Sequence, residues 1–240
     1  MEDTERIKLM NVRLVSYTKP TEDFVAEGMN SDDLLDLVAF CARVSNPANQ
    51  MNSETSEKLV KYLIKHAHWS PLEMVNACLE IDTTRDIAHQ IVRHRSFAFQ
   101  EFSQRYAEPG QMGDEVFITS EARLQDNKNR QNSIELDMAQ EGMAELMVKW
   151  EELQQDVIFT AGRAYDWAIE NGIAKEVARK VLPEGLTKTR LYMNGTLRSW
   201  IHYIELRGAN GTQKEHMEIA HACAEVIAKI FPLAEELKGA

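Results

Sequence analysis

The side-chain period of this chain switches repeatedly between two and 3.6 residues, and no linker separates the switches. Val12–Tyr17 (VRLVSY) alternates apolar and polar residues, which predicts a strand. A helix is predicted from about Ser31 through Cys41, with Asp32 and Asp33 in its first turn and Asn46–Pro47 ending the segment. Ser53 is expected to cap a second helix whose stripe is Leu59, Val60, Leu63 and Ile64. Met74–Ile81 predicts a strand, and Thr83 or Thr84 should cap a helix running to about Arg95. From about Ser133 to Glu170 the pattern is helical for nearly its whole length, with Gly142 and Gly162 as weak points. A short helix to Val181, a strand over Thr187–Asn194 and helices over Thr196–Arg207 and Gln213–Phe231 follow. No repeat, low-complexity tract or Gly/Ser/Pro stretch interrupts this mixture. The expected architecture is therefore one α+β domain over residues 1–240.

Composition narrows the function classes. The chain has 240 residues, 44% of them hydrophobic and 27% charged, which excludes disordered and disulfide-scaffold classes. Its net charge of −11 opposes a phosphate backbone, so no nucleic-acid partner is expected. A small anion is still compatible, because a local arginine cluster overrides the global field. Cys41, Cys78 and Cys223 are scattered and form no CxxC pair, which fits a reducing compartment such as the cytoplasm. The opening MEDTERIKLM has no apolar core, as expected of a chain without a signal peptide, and no run approaches the roughly 18–20 apolar residues of a membrane span.

The densest polar stretch is Arg93–Tyr106. On a helical wheel of Thr83–Arg95, Ile87, Ala88, Ile91 and Val92 share one arc, while His89, Gln90, Arg93 and His94 share the other. Beyond Arg95 the period changes, and an extended chain would place Phe97, Phe99, Glu101, Ser103 and Arg105 on one side. An acid, a hydroxyl and a guanidinium in that order suit a ligand with a phosphate and a hydrogen-bonding ring, since arginine grips phosphate with a planar fork. The same residues also suit a solvated basic helix end followed by an edge strand. Elsewhere, Cys41 and Cys78 fall among apolar residues and are expected in the core, as are Trp150, Trp167, Trp200 and Tyr165. His66 and His68 form only an H-x-H, so no metal is expected; His216 and His221 read as helix-surface residues.

Arg93-His94-Arg95, seven residues and then Ser103 resembles the signature of the flavin-dependent thymidylate synthases, and Gln90, Glu101, Arg105 and Tyr106 extend the match. Other segments fall in that family's order. They are Ala42-Arg43-Val44-Ser45, the H-x-H-x-[ST]-P-x-E segment His66–Glu73, Arg179–Pro183, the helix Thr196–Arg207 and Thr212–Glu215. Ala98, Gln100 and Thr196 depart from it, standing where Ser, Asn and Asn are common.

The resemblance implies reductive methylation of dUMP to dTMP, with methylenetetrahydrofolate as carbon donor, NADPH as reductant and FAD as hydride carrier. Ser45, His68, Ser70, Arg93, His94, Arg95, Glu101, Thr196, Arg198 and His202 would hold or adjoin FAD. Gln90, Arg93, Glu101, Ser103, Gln104, Arg105, Arg179 and Arg207 would line the dUMP site. It further implies an α+β fold with a mainly antiparallel sheet flanked by long helices, and a homotetramer whose sites are built by more than one subunit. Arg207 would carry the chemical role, favouring ionisation at uracil N3, because a fixed cation lowers the energy of a developing anion. From the residues alone, Arg207 lies near the apolar arc with Trp200 and Ile204, where a charge wants an anionic partner; it reads equally as a helix C-terminal cation before Gly208. The alternative is a catalytically weak or inactive nucleotide- or flavin-binding relative. A metal-dependent hydrolase is a weaker rival.

Overall fold

The computed structural model describes residues 11–30, 34–113 and 115–237. The strands are β1 (Val12–Tyr17), β2 (Asn76–Thr84), β3 (Ala98–Glu101), β4 (Arg123–Gln125), β5 (Ser133–Glu135) and β6 (Lys188–Thr196). The helices are α1 (Glu22–Ala26), α2 (Leu34–Ala42), α3 (Ser56–Lys65), α4 (Arg85–Ile91), α5 (Met143–Glu170), α6 (Lys175–Ala178), α7 (Leu197–Gly208) and α8 (Lys214–Ala228). The main sheet has the order β1-β2-β6-β3 with every neighbour antiparallel, and β4 pairs with β5 separately. The α+β class expected from the periods, and the antiparallel sheet the resemblance implies, are the ones observed.

The two faces of the sheet divide by chemistry. Ala77, Leu79 and Ile81 of β2 and Leu191 and Met193 of β6 are fully buried with Ile87, Trp200, Ile204, Ala220 and Cys223 of α4, α7 and α8. Alternation sends Glu80 and Asp82 to the other face, each only 5% exposed. A buried carboxylate is tolerable only when paired. Arg13 Nε donates to Glu80 Oε1 at 2.9 Å and the Tyr192 hydroxyl to Glu80 Oε2 at 2.9 Å. Arg190 grips Asp82 through two nitrogens, at 2.6 and 2.8 Å.

β6 runs directly into α7. Thr196 ends the strand and caps the helix, its Oγ1 accepting the Ser199 N–H at 3.2 Å. Trp200, one turn on, donates from Nε1 to Ala77 O at 3.0 Å and locks the helix onto β2. The corner is tight: a Cβ on Gly195 would lie 2.4 Å from the Phe97 ring. Phe97 in turn meets Trp200 edge to face, with centroids 4.8 Å apart.

Several boundaries differ from the sequence reading. The stretch from Ser133 is not helical at its start: it forms β5 and a turn, and Gly142, at φ 83°, sits outside the helix as its N-cap. Helix α3 starts at Ser56 behind Thr55, because Ser53 O is taken by the Ser56 N–H in a preceding turn. Helix α4 stops at Ile91, and three-residue turns, His94 N–H to Ile91 O and Phe97 N–H to His94 O, swing Phe97 into the core. The start of α2 at Ser31–Asp33 lies outside the described residues. Cys41 and Cys78 are half-buried rather than core, since Cys78 alternates onto the polar face of β2. Trp150 and Trp167 are exposed on α5, whereas Trp200 and Tyr165 are buried as expected. No helix among the described residues is long and apolar enough to cross a membrane.

Gly195→Ala should lower stability by about 1–3 kcal/mol in urea denaturation, because the added methyl overlaps the Phe97 ring. The loss should shrink in a Phe97→Ala background, where that ring is gone.

Candidate active site

Helix α7 presents functional groups on two different faces. Arg198 and His202 are four residues apart and share one. His202 packs edge to face on Trp69, with ring centroids 4.5 Å apart, and Arg198 Nη1 pairs with Glu73. This draws the His68–Glu73 segment alongside the helix, with His68 and Ser70 exposed beside it. The segment is aimed by a helix-ending motif. His68 N–H bonds Leu63 O at 2.8 Å and Ala67 N–H bonds Ile64 O at 3.1 Å, with Ala67 left-handed at φ 55°.

Arg207 lies nine residues from Arg198, about 180° round the helix and about 14 Å along it. It shares its side of α7 with Ser199 and Tyr203, which face the Arg93–Phe97 turn. Ser199 Oγ donates to Ser96 O at 3.1 Å, the Tyr203 and His94 ring centroids are 5.0 Å apart, and Arg207 Nε donates to His94 Nε2 at 2.9 Å. The imidazole can accept that bond only while uncharged. Burial, reinforced by the Arg207 guanidinium, pushes His94 down to about 4. Among the described residues no carboxylate reaches ion-pair distance of Arg207, and its two terminal nitrogens have no partner there. The anionic partner expected for a cation on the apolar arc is thus a neutral ring, which leaves the charge uncompensated.

The remaining candidates form a third group. Glu101 accepts from Arg85 Nη1 at 3.2 Å and from the Thr189 hydroxyl at 3.0 Å. The extended run ends there: Phe97, Phe99 and Glu101 share one side, but Ser103 and Arg105 sit exposed in a turn beyond β3. Arg105 Nε lies 3.6 Å from Glu176 of α6, and half-buried Arg179 follows that helix directly. Gln104 is buried, its amide nitrogen without a partner among the described residues. Arg93 and Arg95 are exposed beside His94, and Gln90 is half-buried on α4. Ser45 is exposed in a separate turn anchored by Arg43, which is buried and donates to Thr55 Oγ1 at 2.9 Å. Thr196 commits its hydroxyl to the α7 cap. Ala98 and Gln100 point outward from the edge strand.

His216 was missed. It is fully buried, not on the helix surface, and its Nδ1 lies 3.3 Å from Gln90 Oε1. The signal was legible: His216, Ile219, Ala220 and Cys223 make one helical stripe. Burial, then Arg207 and His94, push its ring to about 3. The three thiols offer no ready nucleophile, because burial raises each of them.

The family model of thymidylate synthase complementing protein matches residues 29–233. The chain belongs to this family of flavin-dependent thymidylate synthases. It is 48% identical over 224 residues to a probable flavin-dependent thymidylate synthase of Paramecium bursaria Chlorella virus 1, covering 93% of this chain and 96% of the relative. It is 46% identical, with the same coverage, to a flavin-dependent thymidylate synthase of Synechocystis. Its fold is similar to that of the UMP/dUMP methylase PolB from Streptomyces cacaoi bound with 5-Br UMP, with TM-score 0.74 and 22% identity over 95% of this chain and 92% of that one. The family resemblance read from the motifs is therefore correct.

Two outcomes follow from this geometry. The unfolded chain takes up histidine protons below its ordinary pKa of about 6.5, while folded His94 resists to about 4 and His216 to about 3. Stability should therefore fall as pH drops from about 6.5 towards 4 in urea titrations, less steeply in His94→Gln. Ala67→Gly should add about 1 kcal/mol and raise the thermal midpoint by about 2–4 °C, because glycine accepts the left-handed turn without strain.

Proposed function

We propose that this chain is an FAD-dependent thymidylate synthase that methylates dUMP reductively to dTMP, using methylenetetrahydrofolate as carbon donor and NADPH as reductant. The observation that carries the reading is Arg207, a half-buried guanidinium anchored by a neutral ring and left with two unpaired terminal nitrogens among the described residues. Those nitrogens suit the imide edge of uracil. A fixed cation there stabilises negative charge at N3 and O4, and so activates the ring towards electrophilic carbon without a thiol nucleophile. Gln90, in contact with His216, which in turn feels the Arg207 charge, offers a carboxamide for the same edge, and Arg105 and Arg179 supply cations for the phosphate. Glu101, fixed by Arg85 and Thr189, is available to a sugar hydroxyl.

The exposed patch of His68, Ser70, Arg198 and His202 beside Trp69 fits a flavin dinucleotide in its donor chemistry: hydrogen-bonding imidazoles, a hydroxyl, a guanidinium and an aromatic edge. Arg93, His94 and Arg95 would add positive and polar groups for its pyrophosphate, and Ser45, Glu101 and Thr196 belong to the same proposed cofactor set. When bound, FAD would supply the redox chemistry between NADPH and the nucleotide, while these residues would hold and orient it.

Because Arg198 and Arg207 face opposite sides of α7, one copy cannot turn both towards one ligand pair. The long helix α5 also exposes Val148, Phe159 and Trp167 at 53%, 66% and 60%. Both features support a homotetramer in which neighbouring subunits complete each site. The dUMP, FAD and folate partners and the single domain of residues 1–240 belong to the same reading.

Arg207→Ala should lower kcat for anaerobic dTMP formation by about 10²–10³-fold while leaving folding and FAD content intact. Loss of FAD or of the folded state would make Arg207 structural. Failure of wild-type protein, loaded with FAD, to form dTMP from dUMP, methylenetetrahydrofolate and NADPH would favour the inactive nucleotide-binding relative. Light scattering should give a mass about four times 27.4 kDa.

A further inference from the structure

Gln90 is held from two sides by residues of α8 and its N-cap. His216 Nδ1 lies 3.3 Å from Gln90 Oε1, and Gln90 Nε2 donates to Gln213 Oε1 at 2.8 Å. His216 is fully buried. The groups that face it are the Tyr203 ring at 5.8 Å and the Arg207 guanidinium from α7, and His94 at 6.3 Å from the turn after α4. On its own helix the adjacent Glu215 is paired with Arg123. His216 Nε2 and the Tyr203 hydroxyl are both buried without partners among the described residues. Among the described residues the ring therefore has one hydrogen-bonding contact, and that contact is Gln90.

A carboxamide can turn over by 180° and exchange its oxygen for its nitrogen at little internal cost. The uracil edge carries both acceptors and an N–H, so a reversed amide would set like groups against like. Unpaired polar groups at such a contact cost far more than the lost bond.

We propose that His216 is a positioning residue for the nucleotide site: carrying its ring proton on Nδ1, it fixes the carboxamide of Gln90 in one orientation, with Gln213 holding the other end. This rests on the reading of Gln90 and Arg207 as the uracil site. A second cation beside Arg207 would disturb the same arrangement, and burial together with Arg207 and His94 keeps the His216 ring uncharged.

The test is the dissociation constant for dUMP, measured by calorimetry on the FAD-loaded protein for wild type, His216→Phe, His216→Asn and His216→Gln. The asparagine amide nitrogen takes the place of ring Nδ1, whereas the glutamine amide reaches the place of Nε2. His216→Phe should weaken dUMP binding about tenfold, the scale of one lost hydrogen bond, with FAD content unchanged. His216→Asn should recover most of that loss and His216→Gln should not. Equal binding by His216→Phe and wild type, or equal binding by the two amide variants, overturns the proposal. If His216→Phe does not fold, the comparison of Asn with Gln decides. Nitrogen-15 NMR of the ligand-free protein should place the His216 proton on Nδ1 at pH 6, and a proton on Nε2 overturns the proposal independently. Wild-type protein that binds no dUMP removes the uracil site and this proposal with it. Binding by wild type without any difference among the variants sinks the proposal alone.

Discussion

The corner at Thr196 governs the rest of the molecule. There the central strand β6 becomes α7 without an intervening loop, and the helix axis is set by a cap, by the Trp200 bond to β2 and by Phe97 seated against Gly195. Fixing that axis fixes which residues each side of α7 presents. Ser199, Tyr203 and Arg207 meet the turn after α4, while Arg198 and His202 meet the segment after α3. Neither recognition segment is itself part of a long regular element. Both take their position from the helix they lean on, and the helix takes its position from the core.

Around half-buried Arg207 the neighbouring groups leave a positive charge unanswered. His94 and His216 are neutral, Tyr203 keeps its proton because burial raises it well above the ordinary phenol, and no described carboxylate comes close. Elsewhere buried carboxylates meet a guanidinium: Glu80 and Asp82 on the sheet, and Glu215 through one of its two oxygens against Arg123. A half-buried guanidinium with no carboxylate beside it leaves its terminal nitrogens free for an incoming anion. That contrast within one chain, rather than the presence of an arginine, marks the site. The chain's overall charge of −11 then works against any large polyanion while leaving one small local well for an anion.

Much of this was legible before folding. The alternation of Val12–Tyr17, the strand before Thr84 and the helix from Leu197 to Arg207 follow from local periodicity, since each buries a face whose spacing the residues declare. Other features were hidden because they depend on contacts between distant segments. Trp150 and Trp167 look like core residues in isolation, yet α5 finds too little of this chain to pack against. His216 looks like a surface residue until its stripe is seen to face Tyr203 and Gln90. The helix expected to reach Arg95 stops at Ile91, because packing Phe97 under Gly195 outweighs four more residues of helical hydrogen bonding.

By itself the sequence determined most of the longer elements, the α+β class and the ordered motifs from Arg43 to Glu215 that carry the family. Those depend on side-chain period and on residue identity, which are local properties. Tertiary structure alone decided that Arg207 is held by His94, that His216 steadies Gln90, and that Arg198 and Arg207 face opposite ways. These rest on where one helix lies against three other segments, and on the loss of water from between them. Burial of that kind shifts histidine protonation and isolates a charge in ways that no spacing along the chain can encode.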